Sequence, residues 1–406
     1  MTVIVDLADL DLWMRPRGEQ DALFASLRAA DGPVFCPRPD GTGFYAVTRH
    51  DQILEASRNP EVFSSEPTST GLEDPPPALA EYIGSMISLD DPRHARLRRI
   101  VSRAFTPRMI QTAVGDVGRL ATEIVGRLAE RGPCDFVAEV ATPMPLQIIC
   151  SMMGIPDAER RGVVEATDVL IQSLADPGYQ PPDGRDRVSV LVEYIGRLHA
   201  LMGELGRLRR EHPADDMITA LVTADVDGES LSDQDLGRFF TLLVVAGNET
   251  TRNALSHALA LFTDHPDQRD LLLADLDARL PAAAEEVVRY ATPVTWMRRT
   301  LTRDAELLGH FYQAGDRVVM YYVSANRDER VFADPYRFDI TRSPNPHLGF
   351  GAPGPHFCLG AHLARREITV MLRELFTRLP DLHATAEPTR QRTSFVNGIS
   401  ALPCAF

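Results

Sequence analysis

HLGFGAPGPHFCLGAHLARRE, residues 347–367, is the stretch that decides how this chain is read. Gly349, Gly351, Pro353 and Gly354 precede Cys358; Gly360 follows, and a helix-forming run begins near Leu359. Glycines let a backbone pass close to a flat ligand and turn through positive φ. A cysteine just ahead of a helix sits at the positive end of the helix dipole, where backbone N–H groups can donate to sulfur. Both effects favour thiolate over thiol, and thiolate is the form that binds metals. Two plainer readings compete: a buried cysteine in a glycine-rich turn, or zinc held by His356, Cys358 and His362. Zinc is the weaker, because structural zinc sites carry paired cysteines and no CxxC occurs. Upstream, residues 326–357 are rich in Pro, Gly, Asn and Asp and predict a long irregular segment, which inside a compact chain is usually functional.

A second stretch, FFTLLVVAGNETTRNALSHALALF at residues 239–262, is apolar around most of a helix, the mark of a buried one. AGNETT interrupts it, and a buried acid with two hydroxyls needs partners. One reading is two helices, with Asn248 or Thr250 as an N-cap after a break at Gly247. The other is a distorted turn opening a groove, with Glu249 and Thr250 relaying protons. Elsewhere, Glu286 and Arg289 lie three apart on a predicted helix, which by itself reads as a weak surface ion pair. His94 and Arg98 lie four apart and share a helix face. Alone they read as part of a solvated basic face.

Taken together, these stretches resemble the cytochrome P-450 family over residues from about Phe24 to Pro403. Phe350, Gly351, Gly354, His356, Cys358 and Gly360 fill the family's haem-binding pattern, with one extra residue between Gly351 and Gly354. Ala246, Gly247, Glu249 and Thr250 match its distal Ala/Gly-Gly-x-Asp/Glu-Thr motif. The resemblance implies that Cys358 is the axial iron ligand, and that Ala246 and Gly247 face the haem with small side chains. Thr250 would hydrogen-bond the activated oxygen and Glu249 gate its protons. Glu286 and Arg289 match the buried Glu-x-x-Arg pair, with Arg342 or Arg337 as third member. His94, Arg98, Arg299 (ahead of Arg298) and His356 would bind the haem propionates, Arg suiting carboxylates through its planar fork. Arg96, Arg99 and Arg103 are candidates for a docking patch.

The implied reaction is hydroxylation of an apolar substrate with O2. Its cofactor would be haem b, and its electrons would come from NAD(P)H through a ferredoxin reductase and a ferredoxin. No flavin or nicotinamide fingerprint occurs in the chain, so the electron source must be separate. The protein supplies the axial thiolate, proton path and placement; the cofactor carries the difficult chemistry. The nearest likeness is to bacterial enzymes acting on methyl-branched lipids, isoprenoids and sterol side chains. Met86, Ile87, Val294, Thr295, Trp296, Phe395 and Val396 would wall an apolar pocket. A polyketide-tailoring oxidase with other contacts from residues 66–90 and 165–195 is the alternative. A haem sensor and a zinc-stabilised interaction module are the more distant ones.

Composition agrees with this frame. The chain has 406 residues, 44% of them hydrophobic, enough for a large core. Its net charge of −15 argues against binding nucleic acid or anionic membrane. No run is apolar enough to cross a membrane, the first residues lack a signal-peptide pattern, and five scattered cysteines suit a reducing compartment. The expectation is a cytoplasmic monomer, mainly α with a minor β part. It would be a single domain over residues 1–406, with a β-rich N-terminal lobe, a larger helical lobe, and haem between a long central helix and the cysteine loop.

Overall fold

The computed structural model describes residues 6–38, 41–105, 107–175, 180–181, 184–224, 230–307 and 309–406, with backbone only at 107, 108, 110, 112, 174 and 175. Part of the 165–195 segment named above, residues 176–179 and 182–183, therefore lies outside the described residues. The fold is mainly α with a small β part. No helix among the described residues is long and apolar enough to cross a membrane.

The hydrophobic stretch around AGNETT forms one helix, Asp233–Asp264, of 32 residues. It starts where Ser232 accepts from the Asp235 N–H, with Asp233 and Asp235 in the first turn favourable to the helix dipole. The alternative of two helices broken at Gly247 is thereby corrected. The Thr250 hydroxyl donates to the Ala246 carbonyl at 2.8 Å, so it is satisfied inside the helix and no cap is needed. Helices Pro143–Met153, Arg187–Glu211, Leu276–Ala291 and Ala361–Arg378 pack around it. Val244, Leu255, Ala258, Leu259 and Phe262 point into the large core they share.

The β part is a five-stranded sheet in the order Val34–Pro37, Gly43–Val47, Arg317–Tyr321, Trp296–Leu301, Phe63–Ser64. Gly43–Val47 pairs parallel with Arg317–Tyr321; the other neighbours are antiparallel. Alternation along these strands sends Phe44, Ala46, Trp296, Val319 and Tyr321 to one face, against the N-terminal helices. Val47, Leu301, Val318 and Met320 go to the other face.

Residues 326–345 are irregular, as their composition predicts, and they are held by one ion pair. Glu286 and Arg289 are both fully buried and joined twice, Nε to Oε2 at 2.8 Å and Nη2 to Oε1 at 2.7 Å. Arg289 also donates to the carbonyls of Asn326, Pro335 and Arg337. Glu286 accepts from the Asp339 N–H, the Asn345 amide and Arg342. Arg342 is thus the third charged side chain, joined by the Asn345 amide, while Arg337 contributes only its carbonyl. Arg289→Ala removes the ion-pair partner and two hydrogen bonds from the buried Glu286 carboxylate and takes their Arg289 donor from three carbonyls. We expect a loss of about 3–5 kcal/mol or a chain that does not fold, read by urea melts and soluble yield.

Candidate active site

The cysteine loop is shaped by close packing. A Cβ on Gly349 would stand 2.5 Å from Val288 Cγ1, and one on Gly354 would stand 2.5 Å from the Ser57 carbonyl. Gly351 has φ +83°, a conformation that costs L side chains energy. The Cys358 N–H donates to the Phe350 carbonyl at 3.0 Å, closing the loop on itself. The helix begins at Ala361, two residues later than the run of helix formers suggests.

Cys358 is exposed, yet enough protein surrounds it for burial to push its thiol pKa up; the Gly360 N–H, Arg98 and Arg365 oppose that shift. Both facts hold for a side chain opening into an internal cleft. The Gly360 N–H favours the thiolate, as expected of a cysteine ahead of a helix, but desolvation outweighs it in the protein alone.

Near this thiol lies a cluster of basic groups. The His94 and His356 rings meet at a tilt of 37° with centroids 4.1 Å apart. Burial, then Arg299, His94 and Arg98, lower the His356 pKa to about 3. Its Nε2 meets the Ser65 hydroxyl at 3.0 Å. Burial also lowers the pKa values of His94, Arg98 and Arg299. Arg98 donates to the Phe357 carbonyl, and Arg299 to the Arg298 carbonyl. Among the described residues no carboxylate forms an ion pair with Arg98 or Arg299; only His94 has a marginal one, to Asp91 at 3.4 Å. Adjacent Arg298 points to the opposite face of its strand and pairs with Asp74. Alternation thus decides between the two arginines that sequence left ranked but unresolved. A group of buried and half-buried guanidinium and imidazole side chains, with only Asp90 and Asp91 nearby, suits an anionic ligand such as the paired carboxylates of a haem at Cys358. The residues present fit a haem.

On the central helix, Ala246 is exposed although the helix is otherwise mostly buried, so this turn borders open space. Gly247 is different: a Cβ there would stand 2.9 Å from Ile149 Cδ1, so its smallness serves packing against Pro143–Met153. Glu249 is buried; its Oε1 accepts from Arg252 (2.7 Å) and Asn253 (2.9 Å), while its Oε2 has no partner. Adjacent helical residues do not face each other, so Glu249 and Thr250 point in different directions. The next residue, Thr251, faces Glu367 of helix Ala361–Arg378 and opposes the upward pKa shift that burial gives that carboxyl. This ties the distal motif to the helix that follows Cys358.

Of the expected pocket wall, Ile87, Val294 and Phe395 keep partial exposure. Val294 bridges Val396, and the Thr295 hydroxyl is spent on the carbonyls of Ser394 and Phe395. Met86, Thr295, Trp296 and Val396 are buried. Trp296 lies among the N-terminal apolar residues and meets Phe395 edge-on. It is a core residue and not a free wall, a correction that follows from its strand face.

Sequence reasoning missed one cluster beneath the loop. Glu285 binds Arg365 through both oxygens and accepts from His347 Nε2 at 2.9 Å, while Arg365 lies over the Phe350 ring. The only signal was a second acid beside Glu286. Despite burial, these two donors lower the Glu285 pKa to about 2, from 4.5. A depressed carboxylate stabilises the fold above its unfolded pKa and loses that contribution as pH falls towards the folded one. Stability should therefore drop between pH 4.5 and about 2, and Glu285→Gln should flatten that part of the profile. Equal slopes in acid titrations monitored by circular dichroism would defeat the assignment.

A mainly α fold with a cysteine loop beside a basic cluster, and an acid–threonine turn on its central helix, fits a cofactor-dependent oxidoreductase. The chain belongs to the cytochrome P450 family, whose pattern matches residues 11–399. It is 46% identical over 408 residues to a methyl-branched lipid omega-hydroxylase of Mycobacterium bovis, covering 98% of this chain and 94% of the relative. It is 38% identical over 390 residues to a steroid C26-monooxygenase of the same species, covering 93% and 87%. A Mycobacterium marinum cytochrome P450 solved in complex with pseudoionone superposes with a TM-score of 0.91 at 42% identity, over 99% of this chain and 98% of that one. The chain is a haem-dependent monooxygenase that takes electrons from redox partners.

Proposed function

We propose that this protein hydroxylates a methyl-branched or isoprenoid lipid, inserting one oxygen atom of O2 into an unactivated C–H bond. The other oxygen atom leaves as water, at a cost of two electrons and two protons. We assign the electrons to NAD(P)H by way of a ferredoxin reductase and a ferredoxin, the cofactor to haem b, and the working form to a cytoplasmic monomer of one domain. The observation that carries the chemistry is the acid-poor basic cluster beside a thiol that opens into a cleft. Relatives named for branched-lipid and steroid oxidation support the substrate class.

Haem held by a thiolate supplies dioxygen binding and cleavage of the O–O bond. Cys358 supplies that thiolate, with Gly360 and Arg98 stabilising its charge. His94, Arg98, Arg299 and His356 would hold the propionates of a bound haem, adding carboxylates to a cluster whose one ion pair is the marginal His94–Asp91 contact. Thr250 presents its hydroxyl lone pairs to the open side of the helix, because its O–H is spent on Ala246. It can there hold a proton-bearing water or ligand. Glu249 takes protons at Oε2 and passes them on by turning out of its bonds to Arg252 and Asn253. Ile87, Val294 and Phe395 exclude water around the substrate chain, with Met86, Thr295, Trp296 and Val396 packed behind or beside them.

Spectral titration of the purified holoenzyme with methyl-branched fatty acids, isoprenoid alcohols, sterols and polyketide macrolides tests the substrate class. Product mass spectra with a surrogate ferredoxin system then locate the new hydroxyl. Tight binding and turnover of macrolides alone would replace the lipid reading.

A further inference from the structure

Cys134 and Cys404 lie far apart in sequence, but the fold places them opposite each other. Strands Cys134–Asp135 and Pro403–Ala405 pair antiparallel with Cys134 in register with Cys404. Both are free thiols, and their sulfurs are 3.9 Å apart. Opposed residues in antiparallel strands have Cα atoms about 4.5 or 5.5 Å apart. Either spacing lies within the roughly 4.4–6.8 Å that a disulfide spans. Small rotations about the two Cα–Cβ bonds would bring the sulfurs to bonding distance without moving the backbone. The other cysteines are not part of this strand pair: Cys36 and Cys150 are buried, and Cys358 belongs to the site already described.

From this geometry we infer that Cys134 and Cys404 form an oxidative modification site, closing to a cross-strand disulfide when the protein meets hydrogen peroxide. Cys134, the more accessible of the two, reacts first. Its thiolate attacks the peroxide O–O bond, forming S–OH and releasing hydroxide, which takes up the thiol proton as water. The Cys404 thiolate then attacks that sulfur, the S–O bond breaks, and a second water leaves with the Cys404 proton. Two thiols are oxidised and one peroxide is reduced.

Burial raises both thiol pKa values, that of Cys404 to about 12, so the thiolate is scarce at neutral pH. The oxidation should accordingly be slow near neutrality and faster in mild alkali. Closure would staple the C-terminal strand to the segment that precedes the π-helical turn Val137–Ala141. The same C-terminal tail carries Phe395 and Val396 of the proposed pocket wall, so the staple would stiffen its far end.

The test treats the holoenzyme with hydrogen peroxide at pH about 7 and about 9, blocks remaining thiols under denaturing conditions, and maps peptides without reductant. The expected result is a peptide joining Cys134 to Cys404, lighter by two hydrogens, formed at least several-fold faster at the higher pH and cleaved by reductant. Cys404→Ser should instead leave a sulfenic acid on Cys134 that a dimedone-type probe traps, and Cys134→Ser should show neither species. Recovery of both cysteines as blocked free thiols in the wild-type protein at the higher pH would overturn the proposal. Joining of either one to Cys358 would do so too. The wild-type map decides the matter even if a serine variant folds poorly.

Discussion

Cys358→Ala abolishes the long-wavelength band of the reduced carbon monoxide complex and, with it, substrate hydroxylation to background. The physical argument is local. Only a sulfur donor pushes electron density onto haem iron strongly enough to favour O–O cleavage, and no other cysteine lies in the loop. The fold should survive: Cys358 is exposed, and the loop is closed by its backbone N–H on the Phe350 carbonyl, which alanine retains. Residual haem would be held by the basic cluster alone, so we expect reduced haem occupancy with an unchanged circular dichroism spectrum. Measurement of the difference spectrum and the haem-to-protein ratio checks both parts. A variant that kept the thiolate-type band would sink the ligand assignment.

Thr250→Ala should bind haem and substrate normally but divert reducing equivalents into hydrogen peroxide. The methyl group that replaces the hydroxyl offers no lone pair where the helix turn meets open space, and proton delivery by a positioned group is worth roughly a hundredfold or more. Product formed per NAD(P)H should fall at least about tenfold, with peroxide accounting for most of the loss. Thr250→Ser keeps the oxygen and its bond to the Ala246 carbonyl; it should restore most of the coupling, a rescue that a purely structural role would not predict. Glu249→Gln gives a useful contrast. It keeps acceptor capacity at Oε1 for Arg252 and Asn253 but cannot carry a proton at Oε2. Turnover should slow, and its pH dependence should shift, with less peroxide released than from Thr250→Ala. Equal coupling in Thr250→Ala and the wild type would remove the proton-relay role.

The local chemistry of the site was legible in the residues themselves. The glycines and cysteine of residues 347–367 announce a tight loop ahead of a helix. The polar interruption in residues 239–262 announces buried groups with work to do. The Glu286–Arg289 spacing was readable too, since residues three apart on a helix always meet. The double acid at Glu285–Glu286 was visible, but nothing local said that Glu285 turns to His347 and Arg365 while Glu286 turns to Arg289. Those partners come from distant segments.

A mainly α class was readable from helical spacing in the sequence by itself, and the ligand cysteine and the acid–threonine turn were candidates through their resemblance to the family's motifs. Only tertiary structure decided four further things. Arg299 and not Arg298 faces the basic cluster, Gly247 packs on Ile149 beside an exposed Ala246, Trp296 belongs to the core, and Cys134 meets Cys404. The reason is common to all four. A side chain's direction follows from the period of its own strand or helix, but what waits in that direction is set by how elements far apart in the chain are packed together.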